Sequence, residues 1–91
     1  MSSNDWFLYI IETVSGQLYT GITTDVDRRF KEHESGKGAK FLRGKSPLTL
    51  RLKVACENRS IATQLELKVK KLPRPVKLDL IQSPEKVLEL L

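Results

Sequence analysis

The stretch LYTGITTDVDRRFKEH, from Leu18 to His33, joins a tyrosine and a glycine on a strand-like segment to two adjacent arginines and the chain's single histidine on a helix-like one. These are tools for an anionic substrate. A guanidinium stays charged and offers a planar fork of donors to phosphate, an imidazole changes protonation near neutrality, and a phenol both donates and accepts. Further on, Glu66 adds a carboxylate of the kind that holds magnesium, an ion often bound by one or two carboxylates while keeping several waters. Each residue also has an ordinary structural account: a cross-strand tyrosine pair, a snorkelling arginine, a histidine compensating a helix C-terminus, and a Glu66 to Lys70 ion pair one turn apart.

Periodicity sorts these candidates. Tyr9 and Tyr19 fall on two strands of a hairpin; an odd loop sets them opposite one another on one sheet face, and an even loop turns them apart. Counting about 100° per residue from Val26, Arg28 points roughly 200° away, on the far side from the face of Val26, Phe30 and His33, whereas Arg29 lies about 60° from Val26, off the edge of that face. Arg28 is therefore the solvent charge and Arg29 the flank charge, aligned with His33 one turn on. Glu66 lies roughly 90° from the centre of its helix's apolar stripe, with Ala62 and Val69 on its inner side, and so borders the core.

The elements that must position these groups follow from the same pattern. WFLYIIE reads as a buried strand, QLYTGIT as a second, and TVSG between them as the turn of an antiparallel hairpin. TTDVDRRFKEHESG carries helix signals, with Thr24 or Asp25 as N-cap and Gly36 placed to end it. GKGAKFLRGK is glycine-rich and cationic and reads as a mobile loop. After Pro47, LTLRLKVAC is a strand with Leu48, Leu50, Leu52 and Val54 alternating. SIATQLELKVKKL is a second helix, capped by Ser60, with a stripe of Ile61, Leu65, Val69 and Leu72. Two prolines in LPRPVK punctuate the chain, and VKLDLIQS and PEKVLELL follow as one or two short helices over the core. The order is β-β-α-β-α-α, an α+β domain with a small antiparallel sheet of three strands.

The totals bound the class. Ninety-one residues make one small domain, 1–91, with a motif-bearing body at 6–72 and a helical cover at 75–91. Sixteen Lys plus Arg against eleven Asp plus Glu leave a net charge of +5, which favours polyanionic partners. Cys56 is the sole cysteine, which excludes an internal disulfide and a cysteine-based zinc site and suits a reducing cytoplasm. The start MSSNDWFLYII is too acidic and its apolar run too short for a signal peptide, and no segment approaches the roughly 20 apolar residues of a membrane span.

At this point the residues converge on a family. LYI (Leu8 to Ile10), then YTG (Tyr19 to Gly21), DVDRRFKEH, a basic loop, a strand and a helix carrying Glu66 resemble the GIY-YIG nuclease superfamily over residues 6–72. The likeness is greatest to the small stand-alone bacterial proteins of that superfamily, in which LYTGITTD, RR, H, SGKGAK and LRGK recur together. Leu8 stands where the first motif has glycine, and Thr20 where the second has isoleucine. The resemblance implies a three-stranded antiparallel sheet flanked by helices and hydrolysis of phosphodiesters, in DNA before RNA, with one Mg2+ or Mn2+. It implies Tyr9, Tyr19, Arg29, His33 and Glu66 as catalytic residues, Glu66 as the metal ligand and Gly21 as the motif glycine. On this reading Gly21 leaves room beside Tyr19 for backbone and phosphate to approach. Lys37, Lys40, Arg43 and Lys45 would track nucleic-acid backbone, a contact without base specificity. Selection by nucleic-acid structure rather than by sequence, action as a monomer, and a general base among Tyr9, Tyr19 and His33 complete the expectation. The alternatives are a non-catalytic nucleic-acid-binding module on the same fold, and an adaptor that docks a partner through its C-terminal leucines.

Overall fold

A computed structural model describes residues 6–91 of the chain. The acidic start, Met1 to Asp5, on which the signal-peptide reading partly rests, lies outside the described residues. The elements are β1 (Trp6–Glu12), β2 (Leu18–Thr23), α1 (Val26–Glu34), β3 (Thr49–Cys56), α2 (Arg59–Lys70) and α3 (Arg74–Gln82), with a 3₁₀ turn at Lys40–Leu42 and a 3₁₀ segment at Pro84–Leu90. This is the expected α+β order. β1 is central, antiparallel to β2 on one side and to β3 on the other.

A continuous apolar run on β1 makes sense because both of its faces are covered. Leu8 and Ile10, paired with Val54 and Leu52 of β3, face a core completed by Ala62, Leu65 and Val69 of α2, Leu80 of α3 and Val87 of the last segment. Tyr9 and Ile11 face a second core, with Val26 of α1 and with Leu42 and Leu48 from the segment between α1 and β3. The sheet is the middle of three layers. Leu80 and Val87 are buried in the first core, so the C-terminal segment belongs to this fold rather than standing free as an adaptor tail.

The structure departs from the sequence pattern in β3. Ile10 pairs with Leu52 and Ile11 with Leu50, so Arg51 is an extra residue on β3 and the alternation breaks there. Leu50 consequently shares a face with Ile11 rather than with Leu52, and it is 37% exposed. The caps also resolve. Asp25, not Thr24, caps α1, accepting from Arg28 N at 3.0 Å. α2 begins earlier than expected: Asn58 rather than Ser60 caps it, accepting from Ile61 N at 2.9 Å. Among the described residues no helix is long and apolar enough to cross a membrane.

Candidate active site

The hairpin register decides where the tyrosines meet. Tyr9 pairs with Gly21 and Tyr19 with Ile11, so the phenols are one diagonal step apart rather than directly opposite. They still share a face. Their rings lie 6.4 Å apart at 41°. The turn is centred one residue later than a direct Tyr9 to Tyr19 pairing requires, because Thr13 N donates to the Gln17 carbonyl at 2.8 Å and Gly16 turns the chain at φ +90.

That register gives Gly21 its purpose. A Cβ at position 21 would stand 2.6 Å from Cζ of Tyr9, well inside contact distance. The space beside Gly21 is filled by the Tyr9 phenol, not kept open beside Tyr19 for phosphate as the sequence suggested. With β2 at the sheet edge, the ring lies across Gly21 toward that edge.

α1 supplies the facing wall. Val26, Phe30 and His33 turn inward as the spacing predicts, and His33 is 1% exposed. Its Nε2 stands 2.9 Å from the Tyr9 hydroxyl, and its Nδ1 accepts from the Ala39 backbone N–H at 3.1 Å. A neutral imidazole carries one proton. Since Nδ1 accepts, that proton sits on Nε2, and the direction of the buried bond follows: His33 donates to Tyr9. Burial and the Arg29 charge both push the His33 pKa down, which keeps the ring neutral. Tyr19 meets the imidazole edge-on at 5.6 Å.

The two arginines behave as the helical angles predict. Arg28 is exposed, whereas Arg29 is half-buried and bonded to Glu32 at 3.0 Å. The Tyr9 phenol is pushed up to about 12, first by burial and then by the neighbouring Tyr19; Arg29 pulls it down, and the Glu66 carboxylate raises it. Glu66 is on α2, which packs against the other face of the sheet, and its influence on the phenol is the weakest of these. It pairs with Lys70 at 3.2 Å, the ordinary account of this residue, and is largely covered.

The segment after α1 is pinned rather than loose. Lys37 N and Gly38 N donate to the Glu32 carbonyl, Ala39 N to His33, and Leu48 N and Ser46 Oγ to the Glu34 carboxylate at 2.8 and 2.9 Å. Leu42 is fully buried. Lys37, Lys40 and Arg43 are exposed on this clasp, and Lys45 is half-buried with its ammonium 3.6 Å from the Phe41 ring centre. Sequence reasoning missed Glu34, Gly38 and Phe41. For Gly38 there was a signal, a glycine within a cationic stretch, but its reason is spatial: a Cβ there would overlap the His33 ring.

A metal can be weighed against these groups. Among the described residues no set of three or more His, Cys, Asp or Glu gathers into a ligand cluster. A single half-buried carboxylate nonetheless fits a hard ion that keeps most of its waters and shares a substrate phosphate. The apolar pocket lined by Ala55, Glu57, Ile61, Leu88 and Leu91 contains none of the site residues.

Comparison with known proteins supplies an independent line. The GIY-YIG catalytic domain matches residues 5–79. The UPF0213 protein YhbQ of Escherichia coli O127:H6 (strain E2348/69 / EPEC) is 51% identical over 86 residues, covering 94% of this chain and 86% of that protein. The UPF0213 protein plu4503 of Photorhabdus laumondii is 54% identical over 77 residues, covering 85% of this chain and 74% of its own length. The solution NMR structure of the UPF0213 protein BH0048 from Bacillus halodurans aligns with a TM-score of 0.56 at 45% identity, covering 85% of this chain and 82% of that one.

Proposed function

Because the chain belongs to the GIY-YIG family, we propose that it is a metal-dependent endonuclease that hydrolyses phosphodiester bonds in DNA and selects by nucleic-acid structure rather than by sequence. One observation carries this reading: Tyr9, Tyr19 and His33 meet in one cluster, with the half-buried Arg29 one turn before His33 on α1. Groups from β1, β2 and α1 converge there.

Each residue then has a task. Arg29 neutralises charge that grows on the phosphate during in-line attack by water. The Tyr9 oxygen takes one hydrogen bond from His33 and has a second lone pair for the attacking water. A phenol pushed up to about 12 is not a free phenolate near neutrality. Tyr9 therefore orients the attacking water by accepting a hydrogen bond from it, and the proton the water loses goes to a phosphate oxygen or to solvent rather than to the phenol. His33 has one nitrogen accepting from Ala39 and the other donating to Tyr9, so it positions the phenol and has no lone pair left for water. Glu66 would hold a divalent ion, which when bound supplies Lewis acidity to the phosphate and the leaving oxygen. Lys37, Lys40, Arg43 and Lys45 engage the nucleic-acid backbone.

A second reading has an observation of its own. The Glu66 to Lys70 pair and the lack of a ligand cluster among the described residues suit a nucleic-acid-binding module without catalysis. Incubating the purified protein with branched, flapped, single-stranded and duplex DNA, with Mg2+ or Mn2+, separates the two. The nuclease reading expects metal-dependent cutting that Glu66→Ala abolishes while DNA binding persists. Equal cutting by parent and variant removes Glu66 from the chemistry, and binding without any cutting supports the module.

A further inference from the structure

We propose that Phe41 is a stacking seat for one unpaired nucleobase next to the reacting phosphate, which makes the substrate class nucleic acid with an unpaired base at the cut: a single strand, a flap or a loop. The proposal rests on the reading of the Tyr9 and Tyr19 cluster as the phosphodiester site.

Phe41 is 42% exposed, although the residue beside it, Leu42, is fully buried and already anchors the 3₁₀ turn to the second core. One exposed apolar residue is ordinary on a protein surface; what sets this ring apart is its place beside the polar cluster. The ring is also held in place. It stacks on Tyr19 with centroids 6.1 Å apart and planes at 21°, and Tyr19 in turn packs edge-on against His33. Tyr9, His33, Tyr19 and Phe41 thus form a file of rings that runs from the buried hydroxyl of Tyr9 to solvent, with Phe41 as its outer end.

A base on Phe41 therefore places its own phosphate near the tyrosines. Bases within a duplex are stacked on one another and offer an aromatic ring only their edges, whereas an unpaired base presents a free π face. Such stacking tolerates any base, in keeping with a loop whose other groups are backbone-directed cations. Lys45 now covers the ring with its ammonium. A lysine on a flexible stem is easily displaced, and once replaced by a base its charge is free for a neighbouring phosphate.

The test is binding in the presence of a chelator, so that cutting does not enter. The probe is a short single-stranded DNA carrying a fluorescent adenine analogue whose emission is quenched on stacking, compared with a blunt duplex of the same sequence. The parent and Phe41→Trp should quench the probe. Phe41→Ala should lose the quench, and its preference for single strand over duplex should fall about tenfold or more. Phe41→Leu keeps apolar bulk without a π face; it should behave as the alanine variant does and replaces it if that one does not fold. An unchanged quench and preference in the alanine or leucine variant overturns the seat. A parent that quenches through Phe41 but never cuts DNA with added metal keeps the seat and removes the nuclease reading. Cutting without a Phe41-dependent quench does the reverse.

Discussion

The Tyr9 hydroxyl and His33 Nε2 meet at 2.9 Å in a buried contact between β1 and α1, and the opposite nitrogen of the same imidazole is held by the Ala39 N–H at 3.1 Å. One ring therefore links the proposed water-orienting phenol to the clasp that carries the cationic residues. Neutral imidazole satisfies both bonds at once, whereas imidazolium would set two N–H groups against each other at Ala39.

Stability should fall on acidification because of this arrangement. The folded pKa of His33 lies below its ordinary value near 6.5, so the unfolded chain takes up a proton that the folded chain resists. The contribution is whole above about pH 6.5 and is lost as pH falls below it toward the folded pKa. Denaturant unfolding between about pH 7.5 and pH 5 should show a decline that is shallower in His33→Asn, whose amide does not titrate over this range. Equal slopes in parent and variant would remove His33 as the source.

Gly21→Ala should dislodge the Tyr9 ring. The new methyl lies 2.6 Å from Cζ, and the phenol, only 2% exposed, has little space to retreat. An overpacked site of this kind costs about 1–3 kcal/mol. Thermal melting should therefore drop, and DNA cutting should fall further than the lost stability explains, because the hydroxyl leaves its bond with His33. A variant that melts and cuts like the parent would mean that Tyr9 has another rotamer open to it.

Thr20→Val should stabilise the fold. The Thr20 hydroxyl is buried and has no hydrogen-bond partner among the described residues, on the sheet face that meets α2 beside Ile10. An unsatisfied buried hydroxyl costs about 1–3 kcal/mol, and valine keeps the shape while removing it. A gain of about 1 kcal/mol corresponds to a rise of about 4–8 °C in Tm for a domain of this size. A lower Tm would show that the hydroxyl is satisfied by water in solution.

Much of the site was legible before folding was considered. The distinction between Arg28 and Arg29 needed only the helical angle, since about 100° per residue separates a solvent side chain from a flanking one. The inward set of Val26, Phe30 and His33 came from the same arithmetic, and the placing of Glu66 at the core's border likewise held. The register of the hairpin did not follow, because Gly16 and the Thr13 to Gln17 bond choose among turns that the residues alone leave open. The bulge at Arg51 was hidden for a related reason: Leu48, Leu50, Leu52 and Val54 satisfy strict alternation in sequence, and only pairing with β1 shows that Leu50 faces the other way.

Local periodicity, capping groups and the GIY-YIG-like residues were enough to determine the α+β order and to nominate Tyr9, Tyr19, Arg29, His33 and Glu66, because helices and strands repeat over a few residues and write that repeat into the chain. Tertiary structure decided that Gly21 houses the Tyr9 ring, that Ala39 selects the proton-bearing nitrogen of His33, and that Phe41 ends the file of rings in solvent. Those facts depend on contacts that no helical or strand repeat records, whose geometry is set only when two cores close on the two faces of one sheet.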